Sequence, residues 1–194
     1  MAANGTTRKT QAQRRAESRQ AVLDAATRLF GEKGYADTSL EEIAADCGLT
    51  IRPIYHYFGN KKALFAAVNE AMEQRIIDAM DVGGERPLAQ NWARFLDLCE
   101  DPGFRRVVLV DSPNVLGRER WADSAVTRAA QSTIAAIGGS DDDVLNRFRA
   151  GLLSRVLMAA LAETALVIAE AEDIEMARRE AEGLIKRLFS NLQA

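Results

Sequence analysis

The residues of this sequence whose types and spacing suggest chemistry lie in one short stretch, LTIRPIYHYFGNKK, residues 49–62. Its one histidine, His56, stands between Tyr55 and Tyr57, with Arg52 just before them and a lysine pair just after. A tyrosine hydroxyl or an imidazole N–H can donate to a phosphate oxygen, and an arginine can form two hydrogen bonds to guanine. The side chains of this stretch therefore suit contacts with nucleic acid.

The same stretch has the spacing of a short helix, which we predict over residues 51–58. Ile54 and Phe58 are four residues apart and would face the core, so the polar and aromatic residues between them stay exposed. Thr50 is a suitable N-cap residue for this helix. Pro53 is tolerated because the amides of the first turn have no partner within a helix.

Two further helices are predicted before this one. The first covers residues 18–33, and the second follows a capping box formed by Ser39 and Glu42. A tight turn around Gly48 separates the second helix from the third. Two short helices joined by such a turn, with another helix packed across them, form a helix-turn-helix. We place this motif at about residues 39–58.

The order of residues on the third helix divides the expected contacts into two kinds. Base edges are met by the first turn of a recognition helix, whereas the aromatic residues that follow are better placed to hold the phosphate backbone. The next helix, predicted over residues 61–80, and the helix start near residue 38 add two N-termini, which favour anions. The candidate DNA contacts are Thr38, Ser39, Thr50, Arg52, Pro53, Tyr55, His56, Tyr57, Lys61 and Lys62.

Charge is distributed unevenly along the chain. Residues 1–65 contain ten Lys and Arg against seven Asp and Glu, a net charge of +3, and the remaining 129 residues contain 15 against 21, a net charge of −6. We expect residues 1–15 to form a flexible basic arm. Two interpretations of the arm stay open: it is only solvated, or it contacts DNA through Arg8, Lys9, Arg14 or Arg15.

The rest of the sequence predicts an all-α fold, because period-3.6 patterns recur and strand-like alternation is not convincing anywhere. The segment 142–171 is too apolar for a surface helix, so it must be covered by the rest of the domain, by a second copy of the chain, or by both. We read DSPNVLG, residues 111–117, as a connector. The further helices are predicted near 88–100, from 104 onward, and over 118–137, 142–171 and 173–192.

Several function classes are disfavoured by the sequence. Catalysis would need converging groups, and the chain has one histidine, no nucleophile elbow and no phosphate loop, so we expect no enzyme. Cys47 and Cys99 have no metal-ligand or disulfide spacing, so we expect no metal and no cofactor. No run of about 18 apolar residues and no secretory signal is evident, which predicts a cytoplasmic protein without a membrane partner.

Residues 18–68 resemble the DNA-binding domain of the tetracycline-repressor (TetR/AcrR) family, through AATRLFGEKGYADTSLEEIAADCGLT followed by IYHYFGNKKALFAAV. The resemblance implies a homodimer in which each N-terminal three-helix domain binds one half-site of an operator. It also implies a helical C-terminal domain with a ligand pocket, and a four-helix dimer bundle made by the two final helices of each subunit. The family contacts DNA, mainly its phosphates, at positions that correspond to Ser39, Tyr55, His56, Tyr57 and Lys61.

The chain departs from the family pattern at one point. Many members have a small Gly-Thr pair where this chain has Arg52-Pro53, so its base preference cannot be transferred from a relative. One good bidentate arginine contact contributes about 1–3 kcal/mol of discrimination between bases.

We expect a DNA-binding domain over residues 16–76 and a ligand-binding and dimerisation domain over 77–194. For every predicted pocket residue, ordinary core packing is the competing interpretation. The candidate pocket residues are Phe65, Met72, Trp92, Phe95, Leu96, Leu109, Val115, Leu116 and Trp121. The candidate dimer residues are Leu153, Leu157, Leu161, Ala165, Leu184 and Leu188.

These expectations combine into a mechanism of regulation. Two-fold pairing would place the two recognition helices about 34–36 Å apart, which matches half-sites one DNA turn apart. A small-molecule effector that prefers another spacing would lower operator affinity, typically by about 1–3 kcal/mol. We therefore predict a ligand-released repressor. A ligand-responsive activator and a DNA-binding protein without an effector remain the alternatives.

Overall fold

The computed structural model describes residues 10–80, 88–117, 120, 123–137 and 144–192. In these residues the chain is helical and has no strand, which confirms the predicted all-α class. The chain divides into two compact units, Met1–Val68 and Asn69–Ala194, and each is described by itself. The domain boundary predicted after residue 76 falls later along the same continuous helix, Lys61–Met80.

The first helix, α1, covers Gln11–Lys33 and begins earlier than predicted. It begins early because Thr10 and Gln13 form a capping box, in which each side chain accepts a hydrogen bond from the backbone of the other, at 2.8 and 3.2 Å. The predicted flexible arm is therefore wrong for residues 11–15, which are helical. Residues 1–9, which include Arg8 and Lys9, lie outside the described part of the chain.

The N-terminal unit is built from α1, α2 (Leu40–Asp46), α3 (Ile51–Phe58) and the first part of α4 (Lys61–Met80). α1 packs against both α2 and α3, and these two short helices pack against each other. The predicted boundaries of α3 and α4 are confirmed. The apolar positions predicted for the first helix are all buried: Val22, Ala25, Ala26, Leu29 and Phe30.

Local capping explains where these short helices begin and end. The Glu42 carboxylate accepts from the Ser39 backbone N–H at 2.8 Å, and the Ser39 hydroxyl accepts from the Glu42 N–H at 3.1 Å, which confirms the predicted capping box. Gly48 takes a φ of 68° in the turn between α2 and α3, a value that favours glycine. Asn60 caps α4 by accepting from the Ala63 N–H at 2.8 Å.

Three aromatic rings form the centre of the N-terminal unit. The ring of Phe65 makes edge contacts with the rings of Phe30 and Tyr35, with centroids 5.2 and 5.1 Å apart. We predicted Phe65 as a pocket residue of the C-terminal domain. That prediction is wrong, because the side chain is fully buried in the aromatic core of the other unit.

The C-terminal unit contains the remainder of α4 and a further set of helices. The helix α9 packs against α5, α8 and α10. The elements after α4 are α5 (Leu88–Cys99), α6 (Pro102–Arg105), a π-helical segment (Arg106–Asp111), α7 (Ser112–Val115), α8 (Ala125–Ile137), α9 (Val144–Glu170) and α10 (Ile174–Leu192).

Two predictions for this unit need correction. Most of the predicted connector at residues 111–117 is helical, since α7 follows the π-helical segment without a break. α8 begins at Ala125 and not at residue 118, because the Ser124 hydroxyl caps it by accepting from the Thr127 N–H at 3.1 Å. The two final helices are confirmed to within a few residues of their predicted ends.

An ion-pair network attaches α10 to α5. The guanidinium of Arg178 pairs with Asp97 at 2.6 Å, with Glu100, and with Glu182 on its own helix at 3.1 Å. Because three carboxylates surround one cation, the pKa of Arg178 is raised, mainly by its hydrogen bond to Asp97. These contacts hold the last helix in place at its polar edge.

Candidate nucleic-acid interface

Helix α3 presents most of its surface to solvent. Ile54 is its one fully buried side chain, whereas Arg52, Tyr55 and His56 are exposed and Pro53 is half-buried. The exposed fraction of Tyr55 is 52%, which is high for a large aromatic residue. Burial in the fold therefore does not account for these polar and aromatic side chains, and they are available to a partner.

The start of α3 carries two free hydrogen-bonding groups. Thr50 occupies the N-cap position in an extended conformation, but its side chain makes no capping bond, so that part of the capping prediction is wrong. Thr50 is exposed, and its hydroxyl can serve a partner. The guanidinium of Arg52, two residues later, forms no ion pair with any described residue. Both groups lie on the first turn, which meets base edges when a recognition helix enters the major groove.

The later part of α3 is braced by ring contacts. The imidazole of His56 lies 5.5 Å from the ring of Tyr57, and the ring of Tyr57 lies 6.4 Å from that of Phe58, measured between centroids. Arg19 of α1 places its guanidinium 4.9 Å from the centroid of Phe58. The sequence analysis did not single out Arg19, because its cation–π contact depends on how α1 crosses α3. Tyr57 is half-buried in this arrangement and His56 is exposed.

The lysine pair at the start of α4 has two different environments. The ammonium of Lys61 donates to the carbonyl oxygen of Ala36 at 3.3 Å and lies 4.4 Å from the ring centroid of Tyr35. These two contacts fix the position of the charge and leave two of its three N–H donors for a partner. Lys62 is exposed. Tyr35, which positions Lys61, was also missed by the sequence analysis.

Ser39, Tyr55 and Lys61 line a common surface groove of about 420 Å³. The rim also carries the exposed carboxylates of Asp37 and Glu41, which would repel a phosphate, so the Lys61 charge has to offset them. The groove places one hydroxyl, one phenol and one ammonium within reach of a single ligand. The sequence prediction is thus supported in bringing these three residues together, although the structure contains no DNA.

Thr38 is the predicted contact that the structure places elsewhere. Its side chain is 1% exposed, and its hydroxyl lies 2.8 Å from the carbonyl oxygen of Gly34 and 3.2 Å from that of Leu29. A buried hydroxyl that bonds to the end of α1 cannot contact DNA. We therefore correct the prediction for the Thr38 side chain, which stabilises the α1–α2 turn instead.

Ion pairs between α1 and α2 neutralise carboxylates close to this surface. Arg28 pairs with Asp46 and, at 3.3 Å, with Glu32, and the ammonium of Lys33 lies 2.8 Å from the Glu42 carboxylate. Lys33, with the Ser39 N–H and hydroxyl, lowers the pKa of Glu42 to about 2. These cations are used inside the unit, so the positive charge left for a polyanion comes from Arg52, Lys61 and Lys62.

The predicted pocket residues of the C-terminal unit are mostly buried. Trp92 and Phe95 are in ring contact, with centroids 5.6 Å apart. Val115 and Leu116 are half-buried, and Trp121 lies outside the described residues. The pocket assignment stays a prediction for these residues, and burial alone does not separate it from core packing. The buried members are Met72, Trp92, Phe95, Leu96 and Leu109.

The predicted dimer residues separate into two groups. Leu157, Leu161 and Ala165 are between 2% and 8% exposed within a single chain, so they pack inside the unit, and the prediction is corrected for these three. Leu153 and Leu184 are exposed, and the side chain of Leu188 lies outside the described part. The sequence analysis chose the wrong edge of a wide apolar helix. The exposed apolar residues of α9 are Phe148, Leu152, Leu153, Val156 and Val167.

The same helix bears on the question of a membrane. By length and composition alone, Phe148–Glu170 could cross a bilayer, with a mean hydropathy of 1.8 and 33% of its most apolar window buried. The sequence analysis expected no such segment, because it looked for an unbroken apolar run. Arg155 and Glu163 are exposed along this helix, and charged side chains facing lipid are costly.

Comparison with known proteins gives the same picture for both units. A family model described as "Bacterial regulatory proteins, tetR family" matches residues 22–68, and one described as "Tetracyclin repressor-like, C-terminal domain" matches residues 86–192. A crystal structure of a TetR-family transcriptional regulator from Pectobacterium atrosepticum superposes with a TM-score of 0.63 and 29% identity, covering 95% of this chain and 97% of that one.

Curated relatives match mainly in the N-terminal unit. The HTH-type transcriptional regulator AcrR of Shigella flexneri is 45% identical over 60 residues, which are 31% of this chain and 28% of that protein. The HTH-type transcriptional repressor AcnR of Corynebacterium efficiens is 31% identical over 67 residues, 34% of this chain and 36% of that protein. The matched segments thus span well under half of either relative.

The two family models coincide with the two structural units. The C-terminal match alone covers more than half of the chain, and the N-terminal match contains the helix-turn-helix whose third helix is exposed. The chain therefore belongs to the TetR family of helix-turn-helix transcriptional regulators.

Proposed function

We propose that this protein is a repressor that binds a palindromic operator as a homodimer and is released by a small-molecule effector. The observation that carries the DNA-binding part is the surface of α3, where one isoleucine is buried and the arginine, tyrosine and histidine side chains are exposed. Solvent exposure offers no benefit for such a set, whereas phosphates and base edges do.

Within this proposal the contacts have distinct roles. Thr50, Arg52 and Pro53 read bases from the first turn of α3, and Tyr55, His56 and Tyr57 contact the phosphate backbone. The Lys61 ammonium, held by Tyr35 and Ala36, meets a phosphate in the groove that it shares with Ser39 and Tyr55. Lys62 adds a second cation. Arg14 and Arg15, exposed on the first turns of α1, extend the cationic surface.

The homodimer is supported by the exposed apolar face of α9. Leu152, Val156 and Phe148 follow each other at intervals of four residues and are 53%, 58% and 67% exposed, so they form one apolar stripe on a helix. Leu184 of α10 is 59% exposed as well. Pairing with a second copy buries this surface and needs no lipid to cover Arg155 and Glu163. We accordingly propose a cytoplasmic protein in which the two final helices form the dimer interface.

The sign of regulation rests on the relatives. AcnR carries the word repressor in its name, and a bound dimer can block a promoter by occupying it. An activator would use the same DNA contacts from an operator at another position. A protein without an effector would bind DNA equally in the presence of any small molecule.

The experiment that tests the proposal is selection of binding sites from a random duplex library, at a salt concentration that suppresses nonspecific binding. We expect a palindrome with half-sites about one helical turn apart. A control selection with the double variant Tyr55→Ala and Lys61→Gln should return no enriched motif, with helical circular dichroism unchanged. Failure of the wild-type protein to enrich any motif contradicts the proposal.

A further inference from the structure

One face of α4 in the C-terminal unit combines polar and apolar residues that are all buried. Asn69, Met72, Glu73 and Ile76 are spaced i, i+3, i+4 and i+7, so they line one side of the helix. Their exposed fractions are 1%, 4%, 6% and 2%. A carboxylate and an amide at such depth are unusual in an apolar stripe, because burying a charge or an unpaired polar group is costly.

Glu73 has hydrogen bonds but no buried counter-ion. Its carboxylate accepts from the Asn69 amide nitrogen at 2.6 Å and from the backbone N–H of Ala125 at the start of α8. Arg120 acts on it only as a nearby charge and is itself exposed, and no ion pair to Glu73 occurs among the described residues. Burial raises the pKa of Glu73, against the opposing effect of Asn69.

Asn69 has an amide oxygen that is buried and has no hydrogen-bond partner. The orientation of the amide is fixed, because its nitrogen donates to Glu73, so the unpaired atom is an acceptor. Buried side-chain polar atoms in folded proteins nearly always have a partner, and leaving one unpaired costs about 1–3 kcal/mol. The Asn69 oxygen and the Glu73 carboxylate together form a pair of buried acceptors that lacks a donor.

The same unit contains two more buried polar atoms without partners, the amide oxygen of Asn91 and the indole N–H of Trp92, both on α5. Three of the four groups described are acceptors, and their surroundings include the aromatic pair Trp92 and Phe95. The missing group is therefore rich in N–H donors. A water molecule can satisfy one or two acceptors but leaves the carboxylate charge uncompensated.

We propose that Asn69 and Glu73 recognise the ammonium group of a small organic amine with an apolar body, and that such amines are the effector class of this protein. The ammonium donates to the Glu73 carboxylate and the Asn69 oxygen, and the apolar body packs on Met72 and Ile76. Charge on the ligand compensates the buried carboxylate, which a neutral or anionic ligand cannot do. The assignment of the amine as effector rests on the proposed regulatory function, whereas the binding site does not.

The test uses three probes of similar size with different charge: 2-phenylethylammonium, 2-phenylethanol and 3-phenylpropanoate. Titration calorimetry with the full-length protein should detect binding of the ammonium and not of the alcohol or the carboxylate. The variant Glu73→Gln keeps the shape of the side chain and removes its charge, and it should bind the ammonium about tenfold to hundredfold more weakly. The matched control Glu70→Gln removes an exposed carboxylate from the same helix and should bind with wild-type affinity.

A second variant, Asn69→Leu, covers the case in which Glu73→Gln does not fold, and it should also weaken ammonium binding. The inference is overturned if no probe binds, if the alcohol or the carboxylate binds as well as the ammonium, or if both variants keep wild-type affinity. Measuring affinity for the selected operator with and without the ammonium separates the two proposals. Operator binding without any ammonium binding overturns this inference alone, and ammonium binding by a protein that selects no DNA motif overturns only the regulatory role.

Discussion

At the scale of single residues, Arg52 carries the part of the proposed operator contact that depends on base sequence. It is exposed on the first turn of α3 and has no ion-pair partner among the described residues. Arg52→Ala should relax preference at one base position in each half-site, with about 1–3 kcal/mol less discrimination there. The measurement is affinity for a set of operators with every base at every position.

Arg179→Ala is the matched control for this change, because it removes an exposed arginine of the C-terminal unit whose side chain is 69% exposed. Its base preferences should equal those of the wild-type protein. If Arg52→Ala weakened binding to all operators equally, Arg52 would be a phosphate contact and the assignment as a base reader would be wrong.

Lys61 should show the opposite behaviour. Its ammonium is held near the groove by Ala36 and Tyr35, which suits a phosphate contact that is independent of sequence. Lys61→Gln should weaken binding to operator and random DNA alike and reduce the slope of log affinity against log salt by about one. The control Lys186→Gln removes one lysine from the C-terminal unit and should leave the slope unchanged. An unchanged slope in Lys61→Gln would contradict the contact.

Residue types predicted the interface better than residue environments. Tyr55, Arg52 and Lys61 were identified because a tyrosine, an arginine and a lysine at those positions have few uses on a helix surface other than binding an anion or a base. Thr38 was included on its nearness to a helix start, and the structure places it in the core, 1% exposed. A single threonine carries no sequence signal that separates a buried hydroxyl from an exposed one.

At the scale of helices, the capping box of α2 makes a contribution to stability that depends on pH. The pKa of Glu42 is about 2 in the folded protein, below its ordinary value of 4.5, because of Lys33 and Ser39. A depressed pKa means that the unfolded chain binds the proton more readily. The contribution is therefore fully present above about pH 4.5 and is lost as the pH falls towards about 2.

Urea unfolding of the wild-type protein and Glu42→Gln measures this contribution. The difference between their free energies of unfolding should narrow as the pH is lowered from about 6 to about 2, since other groups titrate alike in both proteins. In a Lys33→Met background the narrowing should be smaller, because Lys33 is the main cause of the shift. A difference that stays constant with pH would contradict the assignment.

Helix boundaries were predictable where capping residues mark them. The start of α4 after Asn60 followed from its side chain, and the turn at Gly48 from the glycine. The connector predicted at residues 111–117 was wrong because Pro113 ordinarily ends a helix. In the structure Pro113 lies in the first turn of α7, directly after a π-helical segment, where the hydrogen-bond register changes and a proline is tolerated. Sequence periodicity gives no signal for such a register change.

At the scale of the whole molecule, the exposed apolar stripe of α9 should hold two subunits together. Val156 is 58% exposed in the middle of this stripe. Val156→Glu should convert the dimer to a monomer at concentrations where the wild-type protein is dimeric, because two carboxylates would be buried facing each other or close to it. Sedimentation velocity measures the change.

Val110→Glu is the matched control, since Val110 is also an exposed valine of the C-terminal unit, 45% exposed, but lies in the π-helical segment. It should remain dimeric. A wild-type protein that sediments as a monomer at all concentrations would contradict the proposed dimer. The need for a partner was predictable from the composition of the helix, but the edge that meets the partner was not. That edge depends on how α5, α8 and α10 pack around α9, and sequence periodicity cannot supply this for a helix apolar on most sides.

The most direct test of dimeric operator recognition is the dependence of affinity on half-site spacing. The selected palindrome is compared with a version that carries about five additional base pairs at its centre, half a helical turn, with both half-sites intact. We predict that affinity falls to that of a single half-site, because the two α3 helices can no longer reach both sites from one face of the DNA. Equal affinity for the two duplexes would contradict the account, since it would show that each α3 binds its half-site independently.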